Sequence, residues 1–400
     1  MSAAPADPAP ASGRPPLARL LLALIVGQTG LHAAMTGLRM AAPLDALALG
    51  ASTWRVGVLM GLFAAAGVAL ALAAGRMADR YGYHRPLRLA VALACGGLLL
   101  AAASTLAGGG WRFALLALAA ILAGAGANLG LIVVQRTGGL LARSAVERVR
   151  IFSWLGIAPS FASVVGPVTA GVLIDEAGFG VAYLALLVLP LASLWSARGV
   201  PPQPLPARPA ERRPAWELLR LPGMKRLLLI NWLLSMGWDV HSFAVPILGH
   251  GLGFSATTIG LVLGSFTLAV TGVRVLIPLL AERLRETTVL RGAMLGAAAV
   301  FALYPFAGTP LSMAACALAL GVLLGSVQPM MLSLLHHVTP DDRHGEALAV
   351  RSMTINAASA VMPLLFGAAG AAVGAAALFW VVGAAIGAGS TVVRRLETTG

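Results

Sequence analysis

Apolar stretches of about twenty residues recur along almost the whole chain, each long enough to cross the hydrocarbon core of a bilayer as a helix. Inside lipid a backbone amide finds no water, so only helices or closed barrels satisfy every N–H and C=O group. Runs that are apolar throughout, without strand-like alternation, select the helix. The spans fall near 18–40, 54–74, 86–106, 112–134, 151–173, 179–197, 226–248, 256–278, 289–306, 310–334, 348–370 and 373–392. Of the 400 residues 58% are hydrophobic and only 11% charged, too little polar character to coat a soluble protein of this size. The expectation is an all-α membrane protein with twelve transmembrane helices and the lipid bilayer as its first partner.

The net charge of +13 would suit a nucleic-acid partner, but its distribution points elsewhere. Arg76, Arg80, Arg85 and Arg88 follow span 2; Arg136, Arg143, Arg148 and Arg150 follow span 4. Arg198 through Arg226 follow span 6, Arg283, Arg285 and Arg291 follow span 8, and Arg343 and Arg351 follow span 10. The alternate connections hold little beyond Arg55 and Arg112. This positive-inside pattern predicts two cytoplasmic termini and no nucleic-acid partner. Lys225 is the only lysine, an arginine bias that points to a GC-rich bacterial genome and hence to the inner membrane.

Residues 1–16 (MSAAPADPAPASGRPP) read as a disordered tail leading into a first span longer than a cleaved signal peptide. Residues 17–197 then make one six-helix bundle and 226–393 a second, with a tail at 394–400. Between the bundles lies the proline-rich stretch RGVPPQPLPARPAERRPAWELLRLPGMKR (198–226), a cytoplasmic linker over 198–225 in which PAWELLRL suits a short interfacial helix. Cys95 and Cys316 sit in apolar runs as small core residues, and no disulfide, metal or cofactor is expected.

The two halves are related. LGASTWRVGVLMG (49–61) matches LGFSATTIGLVLG (252–264) at a shift of 203, which sets Gly50, Ser52, Gly57 and Gly61 on Gly253, Ser255, Gly260 and Gly264. The same shift pairs Pro43 with Pro246, Asp79 with Glu282, Arg80 with Arg283 and Arg88 with Arg291. Later the shift becomes 196, and VGPVTAG (165–171) meets VMPLLFG (361–367), pairing Pro167 with Pro363 and Gly171 with Gly367. Two parallel six-helix repeats around a midplane site are the architecture of an alternating-access carrier.

The connection after span 2, GRMADRYGYHRPL (75–87), resembles the signature loop of the major facilitator superfamily, matching it at Gly75, Asp79, Arg80, Gly82 and Arg85. The two glycines allow close helix approach and a tight turn, and Asp79 suits a latch onto an arginine or a helix N-terminus. Tyr83 and His84 stand where paired basic residues are usual. In span 5, GPVTAG (166–171), with Gly166, Pro167 and Gly171, resembles the Gly-Pro element of the superfamily's twelve-span drug–proton antiporters. Gly156 is a candidate upstream member, but Ala158, Ser160 and Ala162 replace further glycines. A kinked, tightly packed helix explains the same residues, with Pro363 and Gly367 as their mates. Span 4 departs from the antiporters, with AAILAGAGANLG (119–130) lacking their arginine and glutamine.

Spans 1 and 7 carry polar residues at the same helical spacing. Gln28, His32, Thr36 and Arg39 mirror Asn231, Ser235, Asp239 and Ser242 at the shift of 203, each set forming one stripe on its helix. Two matched stripes predict a shared substrate cavity, and the resemblance also implies one between these spans. Asn128, Thr267, Thr271, Arg274 and Gln328 are further candidates for its wall. His241 lies about 160° around the helix from Asp239 and faces a neighbouring helix. His336, His337 and His344 with Asp341 and Asp342 form a loose group after span 10 whose solvation argues against a metal.

Asp239 reads as the only carboxylate deep in the spans. It serves either as a structural ion paired with Arg39 or Arg274, or as a group that binds and releases a proton, with His32 as the other carrier. Helix rise sets Arg274 nearer the cytoplasm, so a direct bridge to it needs bent helices. The expected function is a monomeric secondary transporter of a small organic molecule, driven outward by protons, and not an enzyme. Arg39, Arg274 and His32 outnumber Asp239 and favour an alternative, proton symport of an organic anion. A receptor or intramembrane enzyme is a distant alternative that no motif supports.

Overall fold

A computed structural model describes residues 17–141, 151, 154–202, 215–280, 285–340 and 344–397. The tail at 1–16 and most of the linker lie outside the described residues. Twelve α-helices, eleven of them 18 residues or longer, make up most of the described chain. The first half holds α1 (Leu17–Ala48), α2 (Thr53–Tyr81), α3 (His84–Ser104), α4 (Gly109–Leu141), α5 (Ile157–Ala185) and α6 (Val188–Ser196). The second holds α7 (Met224–Gly251), α8 (Ala256–Leu280), α9 (Glu286–Leu303), α10 (Pro310–Val338), α11 (His344–Val373) and α12 (Ala375–Glu397).

Ten helical stretches are long and apolar enough to cross a membrane. One of them, Ile157–Gly199, would span about 65 Å as a single rod, twice the hydrocarbon thickness. Gly178 breaks it with φ 80° and ψ 172°, a conformation open to glycine, so α5 makes one crossing and its last turns continue through α6 into another. α7 is long enough but carries Lys225, Arg226, Asn231 and Asp239. With that split and α7, the crossings are twelve, in two six-helix bundles.

Each bundle buries its own core. Leu38, Leu59, Leu98, Leu116 and Tyr183 fill the first, and Phe243, Phe301, Tyr304, Phe379 and Ile386 the second, where Tyr304 stacks on Phe379 at 4.5 Å. The packing repeats with the sequence: α1 lies on α5 and α6, α2 and α3 on α4, just as α7 lies on α11 and α12, α8 and α9 on α10. Four prolines inside helices obey the repeat as well, Pro43 with Pro246 and Pro167 with Pro363. The short helix expected in the linker is the 3-10 turn Ala215–Arg220, whose Leu218 is fully buried in the second core.

α1 runs eight residues past the end of span 1, and this corrects the reading of Asp239 as the sole buried carboxylate. Asp45 lies within α1 and is 0% exposed. Arg112 and the Tyr183 hydroxyl both donate to it. Arg351 is a second correction. It belongs to α11 rather than to the loop charges, and it is 9% exposed.

Two helix pairs close the bundles against each other, α2 with α11 and α5 with α8. Glycines four residues apart let the backbones meet. A Cβ at Gly57 would stand 2.5 Å from the Pro363 carbonyl oxygen, and one at its mate Gly260 2.6 Å from that of Pro167. One turn deeper, Gly61 faces Ala360 and Leu364, while Gly264 faces their mates Val164 and Val168. Gly367 abuts Gly57 and the start of α2; Gly171 abuts Ala256 and Thr257 at the start of α8. Both closures lie toward the end of the molecule that holds the α1–α2 and α7–α8 turns, opposite the basic loops.

Candidate functional site: a cavity between the bundles

Asp239 lies mid-way along α7 and is 4% exposed. Both its oxygens accept from the Ser359 hydroxyl of α11 at 3.2 Å. Arg39 of α1 is the charge that acts on it, yet the two form no ion pair within 4 Å. Asp239 opens on a cavity of about 310 Å³ walled also by Asn231, Ser235, Arg274, Gln328 and Arg351. Leu234, Trp238, Leu324, Val327 and Ile355 supply its apolar surface.

The polar wall is ordered from α7 outward. Asn231 accepts from the Arg351 Nε at 2.9 Å, and the Ser235 hydroxyl donates to the Asn231 carbonyl at 2.8 Å. Arg351 and Arg274 stand close enough to act on each other as like charges. Four buried donors on the residues of this wall have no hydrogen-bond acceptor among the described residues: Nε and one terminal nitrogen of Arg39, Nε of Arg274, and the side-chain nitrogen of Asn231.

Two smaller cavities adjoin the first. One of about 130 Å³ shares Ser359 with it and is lined by His32, Asn128 and Asn356. Asn128 is fixed there by donating to the Gly67 carbonyl at 2.8 Å. The other, of about 80 Å³, shares Arg39 and Trp238 and is lined by Thr36, Ser163, His241, Ser242 and Thr267. Thr36 donates to the Ala162 carbonyl at 3.0 Å, and His241 pairs with the Tyr304 hydroxyl at 3.1 Å while stacking on Phe266 at 4.3 Å.

Of the two stripes, all four α7 residues and three of α1 thus reach the cavities. Gln28 does not: it is 1% exposed, lines none of the three, and neither end of its amide has a partner. Thr271 turns its hydroxyl back to the Thr267 carbonyl. Sequence reasoning missed Arg351, Asn356 and Ser359, the α11 contribution. The repeat held a signal for one of them, because Ser359 is the mate of Ser163 at the shift of 196 and both line cavities.

In the signature loop, Gly82 takes φ 69° to end α2, as a tight turn requires. Arg80 and Arg85 both stand over the Tyr81 ring, at 5.2 and 5.6 Å. The side chains of Asp79, His336 and His344 are not among those described, and Asp341 and Asp342 lie outside the described residues. At Gly75, expected to let helices approach, a Cβ would meet no described atom within 4 Å. Gly166 does serve approach, with Thr36, Ala33 and Gly37 of α1 occupying the place of a Cβ.

Residues 24–231 and 227–398 each match the family model described as Major Facilitator Superfamily, so that the two matches together cover nearly the whole chain. Among solved structures, a POT family transporter in complex with 5-aminolevulinic acid superposes with a TM-score of 0.76 at 11% identity, covering 95% of this chain and 96% of that one. The nucleoside transporter NupG does so at 0.74 and 12% identity, covering 94% and 99%. A bacterial homologue of the iron transporter ferroportin, in an inward-facing state, gives 0.72 at 18% identity, covering 95% and 99%. At these identities the likeness is one of fold.

Proposed function

Because the chain belongs to the major facilitator superfamily, we propose that it is a proton-coupled secondary transporter in which Asp239 takes up and releases the proton. One observation carries this reading: Asp239 is buried at the cavity between the bundles with, among the described residues, a single hydroxyl as its hydrogen-bond partner and no ion pair within 4 Å. Asp45 is the internal contrast. A carboxylate kept permanently ionised for structure needs direct partners, and Asp45 has a guanidinium and a phenol. Asp239 has the desolvation without that compensation, the condition under which a carboxylate exchanges a proton as its surroundings alternate.

The basic loops face the cytoplasm in this reading, with both termini on that side of a bacterial inner membrane. The closures α2–α11 and α5–α8 then seal the outer end, and the cavity belongs to the inward-facing state. His32 is the second proton carrier, reached from Asp239 through Ser359, which borders both cavities. The Gly166–Pro167 element supports export of a small organic molecule. A second reading, symport of an organic anion, is favoured by Arg39, Arg274 and Arg351 around the single carboxylate.

The test is Asp239→Asn in proteoliposomes. Flux driven by an imposed pH gradient should fall at least 100-fold, while substrate exchange at equal pH on both sides persists. Wild-type gradient-driven flux in the variant would remove Asp239 from the coupling.

A further inference from the structure

We infer that the substrate is a small organic dianion, held between Arg39, Arg274 and Arg351, with Asp239 as the protein's own counter-ion. The inference rests on the transporter reading and names the substrate class of the same site. Three guanidinium groups and one carboxylate wall the large cavity, leaving two positive charges in excess. Arginine stays charged at any physiological pH, so this excess is not relieved by losing protons. Asp239 answers part of the charge of Arg39, but no second carboxylate among the described residues of the wall answers the mutual repulsion of Arg274 and Arg351.

The unmet donors say what fits. Nε and a terminal nitrogen of Arg39, Nε of Arg274 and the Asn231 amide nitrogen are buried and without acceptors among the described residues. Buried donors left unpaired are costly, and the guanidinium fork matches the paired oxygens of a carboxylate or phosphate. Arg351 is already oriented through its Nε bond to Asn231. The volume, about 310 Å³, sits at the low end for small-molecule sites, and Leu234, Trp238, Leu324, Val327 and Ile355 leave an apolar wall for a short carbon skeleton. Two acidic groups on such a skeleton neutralise the excess.

The same arrangement rejects organic cations, which would meet three arginines for one carboxylate. It also sets the sign of the link to protons. A proton on Asp239 removes the one negative charge that competes with the substrate for Arg39, so proton and dianion favour each other's binding. That sign belongs to symport of an organic anion, the second of the two readings above.

Binding by the purified full-length protein, read as thermal stabilisation and by titration calorimetry, tests this apart from flux. The probes are succinate, glycerol 3-phosphate, acetate and tetraphenylphosphonium. Succinate or glycerol 3-phosphate should bind saturably and at least tenfold more tightly than acetate, with no binding of tetraphenylphosphonium. Whichever of the first two binds separates a dicarboxylate from a phosphate ester. Arg274→Gln and Arg351→Gln should each weaken the dianion at least tenfold, and Arg274→Lys, which keeps the charge but not the fork, should fall between. Unliganded melting temperatures show whether these variants remain folded. Asp239→Asn should bind the dianion as tightly as wild type or more so. The inference is overturned if neither dianion binds, if Asp239→Asn abolishes anion binding, or if tetraphenylphosphonium binds in an Asp239-dependent way. Dianion binding without gradient-driven flux would sink the coupling role of Asp239 and leave this inference standing; proton-driven flux of a cation would do the reverse.

Discussion

The α2–α11 and α5–α8 closures are built to one plan and differ in one charge. Gly57 against Pro363 has its counterpart in Gly260 against Pro167, and Gly61 against Ala360 and Leu364 in Gly264 against Val164 and Val168. At the outer edge the plan diverges. Asp175 of α5 accepts from the backbone N–H groups of Ala256 and Thr257, at 2.9 and 2.7 Å, at the start of α8. Its mate in α11, at the shift of 196, is Ala371, and α2 begins instead with the Thr53 hydroxyl 3.5 Å from the Gly367 carbonyl. One interface adds to its shape only a long hydroxyl–carbonyl contact; the other adds a carboxylate at the positive end of a helix of the opposite bundle. Where two backbones touch, any side chain collides and the repeat has kept its glycines. At the solvent edge the constraint lapses, and a charge appears on one side only.

If shape does the common work, breaking it should cost both closures alike, and this is the largest effect expected. Gly57→Leu and Gly260→Leu each force a side chain into a carbonyl, an overpacking of about 1–3 kcal/mol against the closed state. That converts to a shift of about 5- to 150-fold in the equilibrium between states. A Ser242→Cys reporter in a background without Cys95 and Cys316 reads it, because this position lines a cavity walled by Met60 of α2 and by Pro167 and Leu263 of the α5–α8 pair. Labelling by a membrane-impermeant maleimide from the sealed end should rise similarly in both variants. A rise in only one would mean that the two closures bear the state unequally despite their common geometry.

The glycines of this comparison were legible in the sequence, but their role was not. A repeat identifies mates, such as Gly57 with Gly260, whereas the contacts join Gly57 to Gly367 and Gly260 to Pro167. Partners follow from how the halves are apposed, which no internal alignment contains. The twelve spans and the two polar stripes were readable because lipid imposes length and helical period imposes a face. Asp45 escaped because span 1 was ended at residue 40, while the helix continues through Pro43 to Ala48 with apolar neighbours on both sides. Arg351 escaped for the opposite reason: arginines near a span end read as topology charges, and only the fold brings this one to Asn231. Asp175 drew no notice because one exposed acid beside a turn has no periodic signature.

The added charge should matter less than the shared shape. Asp175 is exposed, so its attraction for the α8 N-terminus is screened, and a carboxylate in that position is worth about 0.3–1 kcal/mol. Asp175→Ala should therefore raise labelling of the Ser242→Cys reporter from the sealed end about two- to fivefold, and the rise should shrink as salt is added. Dianion affinity should not change, since Asp175 lines none of the three cavities. A tenfold or larger rise that is insensitive to salt would place the carboxylate in the packing itself.

The smallest effect comes from copying the charge to the other closure. Ala371→Asp sets a carboxylate at the position equivalent to Asp175, one residue after Gly370, which already stands near Thr53 at the start of α2. α2 opens with Ser52 as its N-cap residue, but the Ser52 side chain makes no capping bond to the N–H groups of the first turn. An acid introduced there meets unsatisfied donors and the positive end of the helix, so it should favour the closed state. Ala371 is exposed, which limits the gain to the lower part of the range for such a charge, and labelling from the sealed end should fall by up to about twofold. In Asp175→Ala, the same substitution should restore labelling toward the wild-type value, because the two closures act on one equilibrium and their contributions add at separated sites. A substitution that leaves Asp175→Ala unrescued, while stabilising the closed state alone, would show that the two closures open independently.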